Sequence, residues 1–323
     1  MNELLAESAA IYAELQADGG VPFDFRATPM LLLAVEPDEL PAASAYAEAV
    51  GGAEHDTWAD PWLADDLAGG FLVEGGYVLD PLGATAATAE AARRAGAEIR
   101  TGDEAKRILV GGGRVTGVVT DAGVIATEHV VVAAGPWTRF LLRTVGLDLP
   151  VSSTRGWLLE TAAVEREPPY ALEQAAWPLQ DEMARLAGDR TLAELAAEDA
   201  APPEPALVSL LLGARPGGHL RIGTSLTRAL GDEPEDADTP RRLAERAVRV
   251  APHLRDTPVV ASWSGRRATT PDGLPAVGPV PGVVGFDVAT GFSSIGMVTI
   301  PAACRRLVEG GAGAFAPARL AAA

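Results

Sequence analysis

Between Gly76 and Val145 the sequence changes its hydrophobic period several times within a short span, and that alternation limits the fold more than any other feature. GGYVLDP reads as a turn. Residues 82–95 (LGATAATAEAARRA) read as an Ala-rich helix that Gly96 ends. AEIRT (97–101) reads as a strand, and AKRILV and RVTGVVT as two strands joined by a hairpin turn at Gly111-Gly112-Gly113. VIATEHVVVAAG reads as further strand, and Gly135-Pro136-Trp137 opens a helix running to about Val145. Strand, helix, strand, hairpin and strand in one run predict a mixed α/β (α+β) class.

The flanks extend this reading. Residues 3–17 have the spacing of an amphipathic helix, 29–34 read as a buried strand, Asp38–Val50 as a helix, and FLVE between glycine pairs as a short strand. VSSTRGWLLET (151–161) is a predicted strand. Residues 165–205, acidic and bounded by prolines, predict an inserted helical excursion. ALVSLLLG and HLRIGTS form a predicted hairpin around Arg215–Gly218, followed by the helix RRLAERAVRVAPHL and the strands PVVASWSGRR and GVVGFDVAT. GFSSIGMVTIPAACRRLVEG reads as a turn and then a helix, and the Gly/Ala-rich tail after Gly310 as surface.

Composition narrows the chemistry. The 323 residues, 48% apolar, suffice for a real core. A net charge of −18 argues against nucleic acid or an anionic membrane as the main partner. Lys106 is the only lysine, so Schiff-base or ammonium chemistry must use it or be abandoned. Cys304 is the only cysteine, which excludes an internal disulfide and a thiolate zinc cluster and points to a cytosolic, cytoplasmic setting. The N-terminal residues lack a basic n-region and an apolar h-region, and no run approaches the ~20 apolar residues of a membrane span.

Three segments carry chemistry, each with a plainer alternative. In Val130–Trp137 (VVVAAGPW) a buried β-run ends in small residues and turns into a helix, so a ligand can approach the backbone near a helix N-terminus. Plain strand-turn-helix packing gives the same pattern. In Trp263–Gly282 two arginines follow a strand; an arginine fork suits a carboxylate, whereas a solvated pair needs no ligand. In Ala289–Met297 (ATGFSSIGM) a Gly-Ser turn opens the last helix, whose free N–H groups would stabilise developing negative charge. Ser293 or Ser294 acting as an ordinary N-cap is the alternative.

Taken in order, VVVAAGPW, W-S-G-R-R-x-T-T-P-D-G-L-P-x-x-G-P and A-T-G-F-S-S-I-G-M resemble the FAD-dependent amino acid and amine oxidoreductases of the D-amino acid oxidase, glycine oxidase and sarcosine oxidase family. GGYVLDP with its helix, GAEIRTG, LPVSSTRGWLLET and HLRIGTS also match, so the resemblance covers about Gly69 to Gly310. It implies that Ala133, Ala134, Gly135 and Trp137 lie along FAD, and that Gly291, Phe292, Ser293, Ser294, Ile295 and Gly296 pack on the flavin ring. It implies that Arg267 holds a substrate carboxylate while Arg266 is peripheral. Trp157, Trp177, Leu159 and Phe292 are candidates for an apolar substrate pocket, large aromatics being also common core residues. The implied reaction is hydride transfer from the substrate to flavin, oxidising the C–N bond of an amino acid or secondary amine. The place where sarcosine-oxidase-like members attach flavin through cysteine is Gly265 here, which implies non-covalent FAD and leaves Cys304 as a small packing residue. Those members also activate oxygen with a lysine; Lys106 on a hairpin strand reads instead as solvated, leaving oxidase and dehydrogenase equally open.

The sequence departs from the family at one place. The opening strand with G-x-G-x-x-G and the acidic residue of a dinucleotide-binding fold are absent from these 323 residues. The expectation is therefore an incomplete Rossmann-like FAD domain, about 74–150 and 271–323, interleaved with a mixed-sheet substrate domain, about 1–73 and 151–270. A truncated or non-catalytic subunit, needing a partner or an upstream segment to bind FAD, is the competing expectation.

Overall fold

In the computed structural model, residues 2–175, 207–228, 238–310 and 315–320 are described. Their largest unit is a sheet in the order β14 (Val259–Thr269), β10 (Ser152–Thr161), β13 (Leu220–Arg228), β12 (Leu207–Ala214), β11 (Ala171–Gln174), β2 (Met30–Ala34), β4 (Gly69–Val73) and β3 (Ala53–His55). Every neighbour pair is antiparallel except β11 with β2. Alternation places Leu31, Leu33, Leu172, Leu210, Leu212, Ile222, Leu159 and Trp157 on one face. That face packs on helix α5 (Asp238–Val250), whose Leu243, Ala247 and Val250 recur at helical spacing and are buried.

A second sheet joins β15 (Ala276–Pro279), β16 (Phe286–Thr290) and β9 (Val130–Val132), with β16 and β9 parallel. The meander β6 (Ala105–Gly111), β7 (Arg114–Thr120) and β8 (Gly123–Ala126) stands against it, and its first turn places Gly112 and Gly113 at φ +58° and +76°. Ile108, Val115, Val132, Leu142 of α4 (Thr138–Arg143), Phe286 and Val288 form the shared core. Helix α1 (Asn2–Ala17) docks on α6 (Gly296–Val308): the Tyr12 hydroxyl donates to Met297 O at 2.8 Å, and Ala302 N donates to Ser8 Oγ at 3.3 Å. Helix α3 (Pro81–Arg94) is N-capped by Asp80, which accepts from Gly83 N at 3.2 Å and from Arg215 at 2.9 Å. A two-stranded pair, β1 (Phe25–Ala27) with β5 (Tyr77–Leu79), precedes it.

The mixed α/β class is therefore the observed one. Several element expectations are corrected. Residues 97–101 form no strand and are exposed, because no described strand lies alongside to pair with them. Residues 171–174 form β11 rather than helix, recruited by parallel pairing with β2. The remainder of the predicted helical excursion, with Trp177, lies outside the described residues. VIATEHVVVAAG is two strands, split by a turn in which the Thr127 hydroxyl donates to His129 O. The sequence reading missed β15, since its Pro- and Gly-rich context hides an antiparallel partner of β16.

Candidate functional site

The three sequence segments meet. Beyond β9 the chain passes Ala133 and Ala134 to Gly135, whose φ of +53° turns it into a short 3-10 turn, Gly135–Trp137, and then α4. Beyond β16, Gly291 at φ +75° leads through Phe292 into the turn Ser293–Ile295 and then α6. The Thr290 hydroxyl donates to Gly135 O at 3.1 Å and receives the Thr138 hydroxyl at 3.2 Å, tying the first segment to the third. The end of β14 joins them through a bridge between Thr269 and Phe292. A Cβ at Gly291 would stand 2.5 Å from Thr270 Cγ2, so this approach requires glycine.

No side chain caps either turn before α6: Phe292 and Ile295 hold the N-cap positions, so neither Ser293 nor Ser294 does. Ser293 itself is at φ +48°, a conformation non-glycine residues seldom adopt. On the opposite segment Ala133 is exposed, the Cβ position of Gly135 faces open space, and Trp137 is 62% exposed. Small residues on one side and uncapped helix N–H groups on the other fit a flat ring that gains negative charge.

Arg267 lies on the large sheet beside this junction. Its guanidinium crosses over Gly156, donating to Thr224 Oγ1 at 2.6 Å and to Ser225 O at 3.2 Å. A Cβ at Gly156 would fall 2.3 Å from Nη1. Among the described residues no carboxylate pairs with Arg267, and burial holds its pKa below the ordinary guanidinium value. The site thus contains a partly desolvated cation with spare donors and no carboxylate partner among the described residues. Thr154, its register partner on β10, has a buried hydroxyl without a hydrogen-bond partner among the described residues.

Other sequence candidates fall elsewhere. Trp157 is 6% exposed in the core against α5, and since successive strand residues alternate faces it lies opposite Gly156 and the guanidinium. Leu159 shares that core. Arg266 is half-buried and alternates away from Arg267. Lys106 sits on β6, paired with Glu104 at 2.6 Å and Asp121 at 3.4 Å. Cys304 is half-buried on α6, and burial raises its thiol pKa. The sequence reading missed Gly156, Thr224 and Ser225, although G-T-S in HLRIGTS was the available signal. No helix among the described residues is long and apolar enough to cross a membrane.

Fold and site together define a mixed α/β protein with a cradle of small residues beside a partly buried arginine. A family model described as DAO, FAD dependent oxidoreductase, matches residues 1–309, and the chain belongs to that family, whose cofactor is FAD. It is 33% identical over 198 residues to a glycine oxidase from Pseudomonas putida, covering 61% of this chain and 45% of that one. It is 27% identical over 308 residues to a D-amino acid dehydrogenase from Rhizobium rhizogenes, covering 92% of this chain and 66% of that one. The solved glycine oxidase of Geobacillus kaustophilus superposes with a TM-score of 0.78 at 24% identity, covering 98% of this chain and 80% of that one. The chain spans less than half the length of the two Pseudomonas glycine oxidases it matches by sequence, and under two thirds that of another D-amino acid dehydrogenase relative.

Proposed function

We propose that this chain carries the substrate-binding and flavin-facing parts of an FAD-dependent oxidoreductase that oxidises the C–N bond of an amino acid or secondary amine. The observation that carries this reading is Arg267: a partly desolvated guanidinium with no described carboxylate partner, beside a cradle of small residues and uncapped helix N–H groups. Such a cation favours an anionic ligand group, and a carboxylate fits its fork.

FAD, when bound, supplies a hydride acceptor. Ala133, Ala134, Gly135 and Trp137 would hold one side of it non-covalently, and the segment Gly291–Gly296 the other. The N–H groups at the start of α6 face developing negative charge at no reorganisation cost. Arg267 anchors the substrate carboxylate and so fixes the carbon next to nitrogen; Thr224, Ser225 O and Gly156 fix Arg267. Trp157 supports this floor from the opposite face, and its backbone N–H donates to Ser225 Oγ at 2.9 Å. We place the substrate-side half at about 1–73 and 151–270 and the flavin-side half at about 74–150 and 271–323, working in a cytoplasmic setting.

The test is to add FAD to the purified chain and follow the visible flavin band under anaerobic conditions with glycine, D- and L-amino acids. Bleaching by one of them, lost in Arg267→Leu, is the expected result. Tight FAD binding with no amino acid or secondary amine able to bleach it defeats the reading.

A second reading has its own observation. The outer edge of β9 is unpaired among the described strands, with Val131 46% exposed and Phe140 62% exposed nearby in the chain. A parallel edge of this kind normally lies inside a sheet. On this reading the chain needs a strand-bearing segment, on a second subunit or continuous with it, to hold the ADP half of FAD. Full FAD affinity for the chain by itself would exclude it.

A further inference from the structure

The face of the large sheet that bears Arg267 also carries a carboxyl group that the reaction leaves unused. One row in cross-strand register runs Leu32, Glu173, Leu211, Gly223, and a second pair, Leu158 and Trp263, continues it across β10 and β14. The step between them is closed by Gly223, whose Cβ position lies 2.6 Å from Leu158 Cδ2. The adjacent row, Leu31, Leu172, Leu212, Ile222 and Leu159, is in register too and packs into the core beneath. The Glu173 row therefore points to the other side, the side of Gly156 and the Arg267 guanidinium.

The spacing suits a ligand with two charged ends. Arg267 reaches Thr224, the residue after Gly223 in this row. From Thr224 on β13 to Glu173 on β11 is two strands, roughly 10 Å. The floor between them is apolar and open: Leu211 is 43% exposed, and nothing lies within 4 Å of the Cβ position of Gly213. Glu173 is half-buried, and among the described residues no hydrogen bond or charge partner acts on its carboxyl. Burial raises its pKa, and its charge in turn raises that of the Tyr46 phenol on α2 (Leu40–Val50), after burial itself. Beside it Leu32, its register partner, packs under α2, so Glu173 stands where that cover gives way to the open floor. A carboxyl partly removed from water, with no partner among the described residues, costs stability unless a ligand completes it.

We infer that Glu173 is a specificity residue that binds the cationic end of a substrate whose carboxylate lies on Arg267. The substrate class is then an amino acid with an ammonium or guanidinium group at the end of its side chain. The reacting amine is one carbon from the carboxylate and cannot bridge two strands, so the distal group is the one Glu173 meets. This inference rests on the carboxylate role of Arg267.

Calorimetric titration of the purified chain with valerate and δ-aminovalerate, which differ only by the terminal ammonium, tests it without turnover. δ-Aminovalerate binds the parent chain at least about tenfold more tightly, a charge-assisted pair being worth that much or more. Glu173→Gln brings δ-aminovalerate down to the valerate level and leaves valerate affinity unchanged, which also reports that the variant is folded. Arg267→Leu loses both ligands. Equal affinities in the parent chain, or an ammonium preference that survives Glu173→Gln, overturn the inference while leaving the carboxylate reading intact. If valerate does not bind, or binds Arg267→Leu as well as the parent, the carboxylate reading fails and the inference falls with it.

Discussion

Gly156→Ala is the sharpest probe of the site, because it adds one methyl group at a point where only a guanidinium is in the way. The new Cβ would stand 2.3 Å from Arg267 Nη1, 2.6 Å from Nη2 and 2.8 Å from Cζ. Ordinary contact requires about 3.5 Å, so the guanidinium must retreat by roughly 1 Å. It then loses the geometry of its bonds to Thr224 Oγ1 and Ser225 O, each charge-assisted and worth about 1.5–3 kcal/mol when well made. The displaced atoms are the tip of a flexible side chain, not backbone, and Gly156 is not among the glycines at positive φ. Fold stability by urea denaturation should accordingly fall by about 1–3 kcal/mol as those bonds are strained. Carboxylate binding should weaken on the order of 10²-fold, the usual consequence of a 1 Å misplacement in a binding fork. The assay is a valerate titration of parent and variant, alongside the urea curve. Unchanged affinity in a variant of unchanged stability would falsify the view that Gly156 exists to seat Arg267.

Three further outcomes follow from the structure. Gly291→Ala combines a φ of +75° with a 2.5 Å approach to Thr270 Cγ2, and should cost more than about 2 kcal/mol in urea denaturation. Asp80→Asn keeps an acceptor for the α3 cap but removes the charge facing Arg215, costing about 1–3 kcal/mol at pH 7. Although burial raises the Asp80 pKa, the Arg215 pair and the backbone N–H groups outweigh it and hold the carboxyl below its ordinary 3.8; the stabilisation is present above the unfolded-state pKa, and the gap between parent and variant should close as pH falls below about 4. Cys304, its thiol pKa raised by burial, should react slowly with a disulfide reagent at pH 7.5 and at the free-thiol rate in urea; equal rates would show the thiol to be open.

Much of the fold was legible because local signals were strong. Asp80-Pro81 starts α3 where a cap and an N1 proline predict, and the hairpins at Gly111–Gly113 and Arg215–Gly218 carry their own turn chemistry. Residues 97–101 were misread for the opposite reason. AEIRT has the composition of a strand, but a parallel strand is made by its neighbours, and no described strand flanks it. Residues 171–174 were misread because ALEQ is locally helix-forming, and pairing with β2 overrode that propensity. At the site, the sequence marked Arg267 and the two glycine turns. It did not mark Gly156, whose role depends on a guanidinium 111 positions away in the chain but adjacent across β10 and β14.

The sequence by itself determined the α/β class and the family motifs. These rest on residue order, hydrophobic period and side-chain chemistry, which are properties of short stretches. Only the tertiary structure decided which face each residue serves. Trp157 and Gly156 are chain neighbours, yet one is core and the other lies beneath Arg267. Glu173 and Leu172 divide in the same way, one toward the open floor and one into the core at 0% exposure. Strand alternation requires such a division, but the assignment of faces comes from where α5 packs, a long-range choice that no local stretch encodes.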